Sequence, residues 1–579
     1  MSLFVNKKRL VKIGAAIILL LTVQLFVFSP RNTEEQLSQT GEPGALSMVP
    51  IEATSDKSQS PIPGADSGDI VRTGGGFKFT QENNNSPVDS LFNLLVETKP
   101  KSPPLAKYIH GEKAQQKFSS DPDFHFSEKY LMGLLEIKET TLLDLETQHQ
   151  HFVDKIRDLP MSIFGDPQKQ ISGDGIVMVG GGRFSWLALL NINQLRSAGC
   201  QLPVEVFIAS EQEYERDFCD RLLPALNAKC VLGFEELPLQ RYREKLRIDG
   251  YQYKSLAIFA SGFKRVLLLD ADNVVIHNPD ILFDWSVFEE YGLVLWPDCW
   301  SRTTHPYFYR IADIEVGDHP VRGQFMDRES PDEWNYHDLP GTLPNPASES
   351  GMLLVNKEKQ VDTLFLSLYY NMFGPSHYYP LLTQGGAGQG DKDTFIAAAY
   401  ALRKPVYQVK QNMKFLGYHD TYGFHAKALG QWDPTTVAEE KTPPYLSNFY
   451  DFQNENDSRL MFMHLSYPKL YPDKLRDEIS WEQNGELRHR KLYPGRLPNS
   501  AYGFDLRMWE LITQLICPQW TPNEAIDAAS VEIQDKLTGL DLQYIKNSKG
   551  NAECESLFLP HLEYLRRHTS TEEEFYVYE

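Results

Sequence analysis

The stretch Arg265-Val266-Leu267-Leu268-Leu269-Asp270-Ala271-Asp272-Asn273-Val274-Val275 constrains the fold of this chain most strongly. Val266 to Leu269 are apolar at every position rather than at every second one. Such a strand is buried on both faces, as inside a helix-covered α/β sheet. It stops at two carboxylates separated by one residue. A carboxylate beside a core is costly unless its desolvation is offset, and a divalent cation offsets it well. Ligands of open α/β sheets gather outside the carboxyl ends of the strands. The pattern therefore fits Mg²⁺ or Mn²⁺ carrying a diphosphate. It also fits a plain turn opened by Asp270 and capped by Asp272, with Asn278-Pro279 starting the next element.

The flanking sequence has the rhythm of a doubly wound sheet. Residues 176–179, 204–209 and 228–232 read as strands, and 184–195, 214–226 and 253–263 as helices. Residues 292–296, 351–356 and 461–464 add further strands, and 361–370 a further helix. The expected class is α/β, a mixed Rossmann-type sheet with flanking helices.

Several residues near predicted strand ends carry chemistry. Gly180-Gly181-Gly182-Arg183 joins a strand to a helix, and either borders a nucleotide or makes a tight turn. Lys254 lies on the first turn of the helix before the acid pair, and meets either a phosphate or solvent. Trp296, Asp298 and Trp300 follow a strand; the tryptophans suit either sugar stacking or core packing. Glu349 precedes the 351–356 strand. Gly390, Asp391 and Asp393 end a glycine-rich loop, where one acid can cap the next helix and the other can orient a hydroxyl. His464 closes a short apolar strand and Lys469 follows it. Together they offer a third metal ligand and a cation for a diphosphate.

At the N-terminus, Lys7, Lys8, Arg9 and Lys12 lead an apolar run over 13–28. With Leu10 and Val11 included, the run nears the shortest membrane-spanning helix. The leading charge keeps the N-terminus cytosolic and the remainder lumenal. No small-X-small cleavage pattern follows, which favours an uncleaved anchor over a signal peptide. The expected organisation is a cytosolic tail (1–12), a signal-anchor transmembrane helix (13–29), a disordered stem (30–87), a helical stem or neck (88–160) and a catalytic domain with a C-terminal extension (161–579). The neck either packs on the catalytic domain or serves self-association. Sequons stand at Asn84 and Asn456. A net charge of −21 argues against broad nucleic-acid binding. The six cysteines show no zinc spacing, and one or two disulfides suit a lumenal chain.

Taken together, six motifs resemble the fungal Golgi α-1,2-mannosyltransferases that branch cell-wall mannan, relatives of the fungal α-1,3-mannosyltransferases. They are Leu269-Asp270-Ala271-Asp272-Asn273-Val274, Leu295-Trp296-Pro297-Asp298, Glu349-Ser350-Gly351, Tyr378-Tyr379-Pro380-Leu381-Leu382-Thr383-Gln384-Gly385, Gly390-Asp391-Lys392-Asp393-Thr394-Phe395 and Met463-His464-Leu465-Ser466-Tyr467-Pro468-Lys469. The resemblance implies a GT-A fold, GDP-mannose as donor, Mn²⁺, and retaining transfer to an α-mannoside such as the α-1,6-mannan backbone of N-glycans. It implies a single-pass type II protein of the Golgi membrane with its catalytic domain in the lumen, and other mannosyltransferases as complex partners. On that resemblance Asp270, Asp272 and His464 bear on the metal. Gly180 to Arg183, Lys254, Ala271 and Lys469 border the donor. Glu349, Asp391 and Asp393 are catalytic candidates for donor sugar or acceptor, and Trp296, Asp298, Trp300 and Gly390 face the acceptor. Alternatives are an α-1,3-mannosyl or UDP-sugar transferase, or a non-catalytic mannan-binding component, in which lost acids would be expected.

Overall fold

In this computed structural model the described residues are 87–121, 123–159, 171–436, 459–493, 503–517, 542–544 and 553–569. The expected cytosolic tail, signal anchor, nearly all of the stem, and both sequons lie outside them. Among the described residues no helix is long and apolar enough to cross a membrane.

In chain order the strands are β1 (Asp174–Val179), β2 (Val204–Ile208), β3 (Ala228–Leu232), β4 (Arg265–Leu269), β5 (Asn273–Val275), β6 (Leu293–Pro297), β7 (Ser348–Asn356), β8 (Tyr407–Gln408), β9 (Lys414–Asp420), β10 (Gly423–Trp432) and β11 (Leu460–His464), followed by a short hairpin of β12 (Ser480–Gln483) and β13 (Glu486–His489). Seven of them form the main sheet in the order β3-β2-β1-β4-β7-β6-β8. Strands β3, β2, β1 and β4 run parallel, while β7 is antiparallel to both its neighbours. The sheet is therefore mixed, as expected.

The unbroken apolar run of β4 has a direct cause. Val266 and Leu268 enter one core, Leu267 and Leu269 the other. One face is covered by helix Arg183–Ser197 and, from the C-terminal extension, helix Phe504–Ile516. The other face is covered by helices Gln252–Ala260, Val361–Met372 and Thr394–Ala401. Burial on both sides leaves no position for a polar residue.

The neck packs on that second face. In helix Glu139–Ile156, Phe152 stacks on Tyr369 with ring centroids 4.4 Å apart, and His149 Nε2 lies 2.7 Å from Tyr370 Oη. Of the two uses open to the neck, the structure contains packing on the sheet domain. The helix expected over 214–226 is broken into a wide turn at Asp217–Leu222 and a short helix at Leu223–Ala225. There Cys219 is tied to Cys230, and Cys517 is tied to Cys554 in the extension.

A second sheet, in the order β5-β11-β10-β9, stands beside the carboxyl edge of the first. Strand β5 begins directly after the acid pair, so the turn at 270–272 is where the chain passes between sheets.

Candidate active site

Backbone contacts hold the acid turn in place. Asp270 N–H donates to Gly351 O at 2.8 Å, and Asn273 N–H closes the turn on Asp270 O at 3.0 Å. The Asn273 side chain donates to Gly351 O at 2.7 Å. From the neighbouring helix, buried Asn191 Nδ2 donates to Asn273 O at 2.9 Å and Asp270 O at 3.3 Å.

The second sheet delivers the histidine. Strand β11 pairs antiparallel with β5 and sets His464 opposite Asn273, while Leu465 N–H donates to Asp272 O at 2.9 Å. His464 Nε2 then lies 3.7 Å from Asp272 Oδ1, and its Nδ1 lies 3.6 Å from Glu349 Oε1. One ligand atom from each of Asp270, Asp272 and His464 falls within 4.8 Å of the others. Two lysines flank the group. Lys254 Nζ sits 2.8 Å from Asp270 Oδ2 and 3.4 Å from Asp391 Oδ2, and donates to Ser350 O and Oγ. Lys469 Nζ pairs with Asp272 Oδ2. Of the two uses open to Lys254, solvation is excluded, because the residue is only 8% exposed.

The electrostatics follow from these partners. Burial raises the Asp272 carboxyl, but Lys469 and His464 outweigh it and hold the group down at about 2. Burial likewise opposes ionisation of Glu349, and His464 brings it to about 2. Burial disfavours charge on His464, yet Glu349 and Asp272 lift it to about 9. Asp391 is pushed up to about 6 by burial, with Lys254 pulling the other way. Burial also raises Asp270, against the pull of Lys254.

The remaining sequence-nominated residues divide. Trp296 is fully buried, and its indole N–H donates to Trp432 O at 3.0 Å. It is core rather than a sugar platform, because its strand is covered on both faces. Trp300 is half-buried against Phe118, with centroids 4.9 Å apart. Asp298 pairs with Lys392 Nζ at 2.8 Å, and Gly390 packs where a Cβ would come within 3.1 Å of the Tyr251 ring. Asp393 occupies the N-cap position of its helix, but its carboxylate does not cap. It pairs instead with the fully buried Arg302 at 2.7 Å and accepts from Ser348 N–H at 2.9 Å. That ion pair gives Asp393 a place in the fold rather than in the acid cluster. Gly180 packs tightly, since a Cβ would lie 2.5 Å from Val206. Gly181 and Gly182 have positive φ and turn the chain into helix Arg183–Ser197. Tyr471 Oη donates to Arg183 O at 3.4 Å. Asn191, Asn273 and Ser350 were not nominated. For Asn191 the signal is a polar residue in an otherwise apolar stretch, Leu189-Leu190-Asn191-Ile192; Asn273 follows Asp272 and Ser350 follows Glu349, so neither stands out in that way.

The donor set suits a divalent cation with carboxylate and imidazole ligands. Two further observations agree. His464 Nδ1 is buried and, among the described residues, has no partner closer than Glu349 Oε1 at 3.6 Å. Residue 351 has no side chain, and a Cβ there would stand 3.1 Å from that nitrogen.

An α/β sheet with an acid pair, a histidine and lysines clustered at its strand-end edge has the make-up of an enzyme with a candidate divalent-cation site. The protein-family description "Mannosyltransferase putative" matches residues 173–433. Alpha-1,2-mannosyltransferase MNN2 of Candida albicans is 38% identical over 83% of this chain and 84% of its own length. The MNN2 enzyme of Saccharomyces cerevisiae is 32% identical over 88% of this chain and 92% of its own. Among solved structures, the galactosyltransferase LgtC in complex with donor and acceptor sugar analogs aligns with 41% of this chain and 73% of its own, at 13% identity and a TM-score of 0.25. The chain belongs to the fungal MNN family of α-1,2-mannosyltransferases.

Proposed function

We propose that this protein is a retaining α-1,2-mannosyltransferase that moves mannose from GDP-mannose to an α-mannoside, branching the α-1,6-mannan backbone of N-glycans. The observation that carries the reading is the Asp270–Asp272–His464 cluster with Lys254 and Lys469 beside it. The names of the MNN relatives support the sugar and the linkage. The mixed sheet with its acid turn supports a GT-A-type domain. The basic, apolar N-terminal sequence and the family support Golgi residence as a type II membrane protein.

Asp270, Asp272 and His464 would hold Mn²⁺, which when bound neutralises charge on the leaving diphosphate. Lys254 and Lys469 stand against those acids and are the cations that contact diphosphate oxygens. The glycine turn at 180–182 and Arg183 border the nucleotide, as does Ala271 within the acid turn. Transfer breaks the bond between the anomeric carbon and the phosphate oxygen, GDP departs, the acceptor hydroxyl oxygen bonds to that carbon, and the hydroxyl proton passes to the departing phosphate. Donor and product are both α-linked. Glu349 is engaged by the N–H groups of Ser350 and Gly351. Among the described residues Asp391 Oδ2 has only the long ion pair to Lys254, which leaves Asp391 as the acid best able to meet a sugar hydroxyl.

The test is a donor panel with added Mn²⁺ and an α-1,6-mannose oligosaccharide, followed by linkage analysis. GDP release from GDP-mannose alone and a new α-1,2 linkage are expected. Turnover only with a UDP-sugar refutes the reading.

A further inference from the structure

Helix Arg183–Ser197 is tied to the site at three places. Its N-terminus follows directly on the glycine turn, and there Tyr471 Oη donates to Arg183 O at 3.4 Å. One turn on, the Trp186 indole N–H donates to Leu470 O at 2.8 Å, beside Lys469. Midway, Asn191 Nδ2 donates to Asn273 O at 2.9 Å and to Asp270 O at 3.3 Å, the carbonyls at the two ends of the acid turn. The glycine turn, the Lys469 segment and the acid pair thus share one helix as their frame.

Asn191 breaks the local pattern of that helix. It stands inside Leu189-Leu190-Asn191-Ile192 and has no exposed surface. Asparagine is a poor helix former, and a buried amide is costly unless it is hydrogen-bonded. Its Oδ1 is buried with no hydrogen-bond partner among the described residues. Half of the amide is therefore unsatisfied, and a leucine of similar size would pack there at lower cost. What a leucine lacks is the two donated bonds, and both go to the main chain of the acid turn. Gly351 O holds the other side of the same turn, accepting from Asp270 N–H and from Asn273 Nδ2. A helix and a strand thus grip the turn by its backbone and by Asn273, which leaves the Asp270 and Asp272 carboxylates to the lysines, His464 and a cation.

We infer that Asn191 is a positioning residue that fixes the acid turn against the Lys469 segment, so that Asp270, Asp272 and His464 converge on one divalent cation. It acts through the main chain of the turn rather than on the reacting atoms. The role rests on the metal-dependent mannosyl transfer proposed above. Gln194 supplies a control within the same helix. One turn beyond Asn191, its Nε2 donates to Val275 O at 3.1 Å, past the acid turn.

The test titrates the full-chain parent, Asn191→Leu and Gln194→Leu with Mn²⁺ alone, the free ion being read by electron paramagnetic resonance. Each variant loses a helix-to-backbone tie, and the thermal midpoints fall alike, by roughly 1–3 °C. Only Asn191→Leu binds Mn²⁺ more weakly, by about 10-fold or more. Its turnover recovers as Mn²⁺ is raised, while its acceptor KM stays unchanged. Asn191→Met, a more adaptable side chain, gives the same loss and takes the place of the leucine variant if that one does not fold. Unchanged Mn²⁺ affinity in a folded Asn191 variant overturns the inference, and so does an equal loss in Gln194→Leu. If Mn²⁺ affinity depends on Asn191 but the parent releases no GDP from GDP-mannose, the transfer reading fails and the positioning role stands.

Discussion

Asp393→Ala separates a fold role from a substrate role for one acid of the glycine loop. Arg302 has no exposed side-chain surface, and Asp393 has 2%. The guanidinium donates to Asp393 Oδ1 at 2.7 Å, Pro344 O at 2.7 Å, Pro346 O at 3.2 Å and Ser348 Oγ at 3.3 Å. Removing Asp393 leaves three neutral acceptors around a buried positive charge. Breaking such a pair from one side costs about 3–5 kcal/mol. The lost acceptor of Ser348 N–H belongs to the same network and is not added separately. A unit this large unfolds with a large entropy, so each kcal/mol shifts the thermal midpoint by only about 1 °C, and the midpoint falls by roughly 3–6 °C. Asp393→Asn keeps an acceptor oxygen and loses less, about 1–3 kcal/mol. The assay is thermal and urea unfolding of parent and variants, paired with turnover measured well below both midpoints. Both variants retain turnover there. An unchanged midpoint together with lost turnover would refute the reasoning and return Asp393 to the reacting centre.

Asp272→Asn lowers turnover about 100- to 1,000-fold with little change in the unfolding midpoint. Its partner Lys469 is 30% exposed and can be solvated when released, so a large stability loss would contradict the geometry. Lys357 Nζ donates to Ser261 O at 2.7 Å, and burial lowers its pKa from 10.5 to about 7. Between those values the unfolded chain holds a proton that the folded chain lacks, so this group makes stability rise with pH across that window, by up to about 1.4 kcal/mol per unit. Lys357→Met flattens that rise in midpoints measured from pH 7 to 9, and a parallel slope would exclude the assignment. Cys517–Cys554 closes a longer loop (separation 37) than Cys219–Cys230 (separation 11). Opening the longer loop by Cys517→Ser and Cys554→Ser costs the more, about 3–4 kcal/mol, and equal or reversed losses in urea unfolding would contradict the loop-length reasoning.

Much of the site was local in sequence. Four apolar residues followed by Asp270-Ala271-Asp272 specify a strand buried on both faces and an acid turn at its end, because a two-sided core excludes polar residues within the strand and admits them only at its edge. The alternation of apolar and amphipathic segments likewise determined the α/β class. Only the tertiary structure decided which distant residues meet that turn. His464 reaches Asp272 because β11 pairs with β5, a register nearly 200 residues apart in sequence with no local signal. Trp296 and Trp300 look alike in sequence, yet one lies inside a covered strand and the other lies beyond the strand's end. Asp391 and Asp393 are two residues apart and part company because Arg302 claims one and Lys254 the other. Charge and apolarity are properties of residues and can be read along the chain. Partnership in a buried site is a property of packing, because it depends on which side chains the sheets bring into the same low-dielectric space.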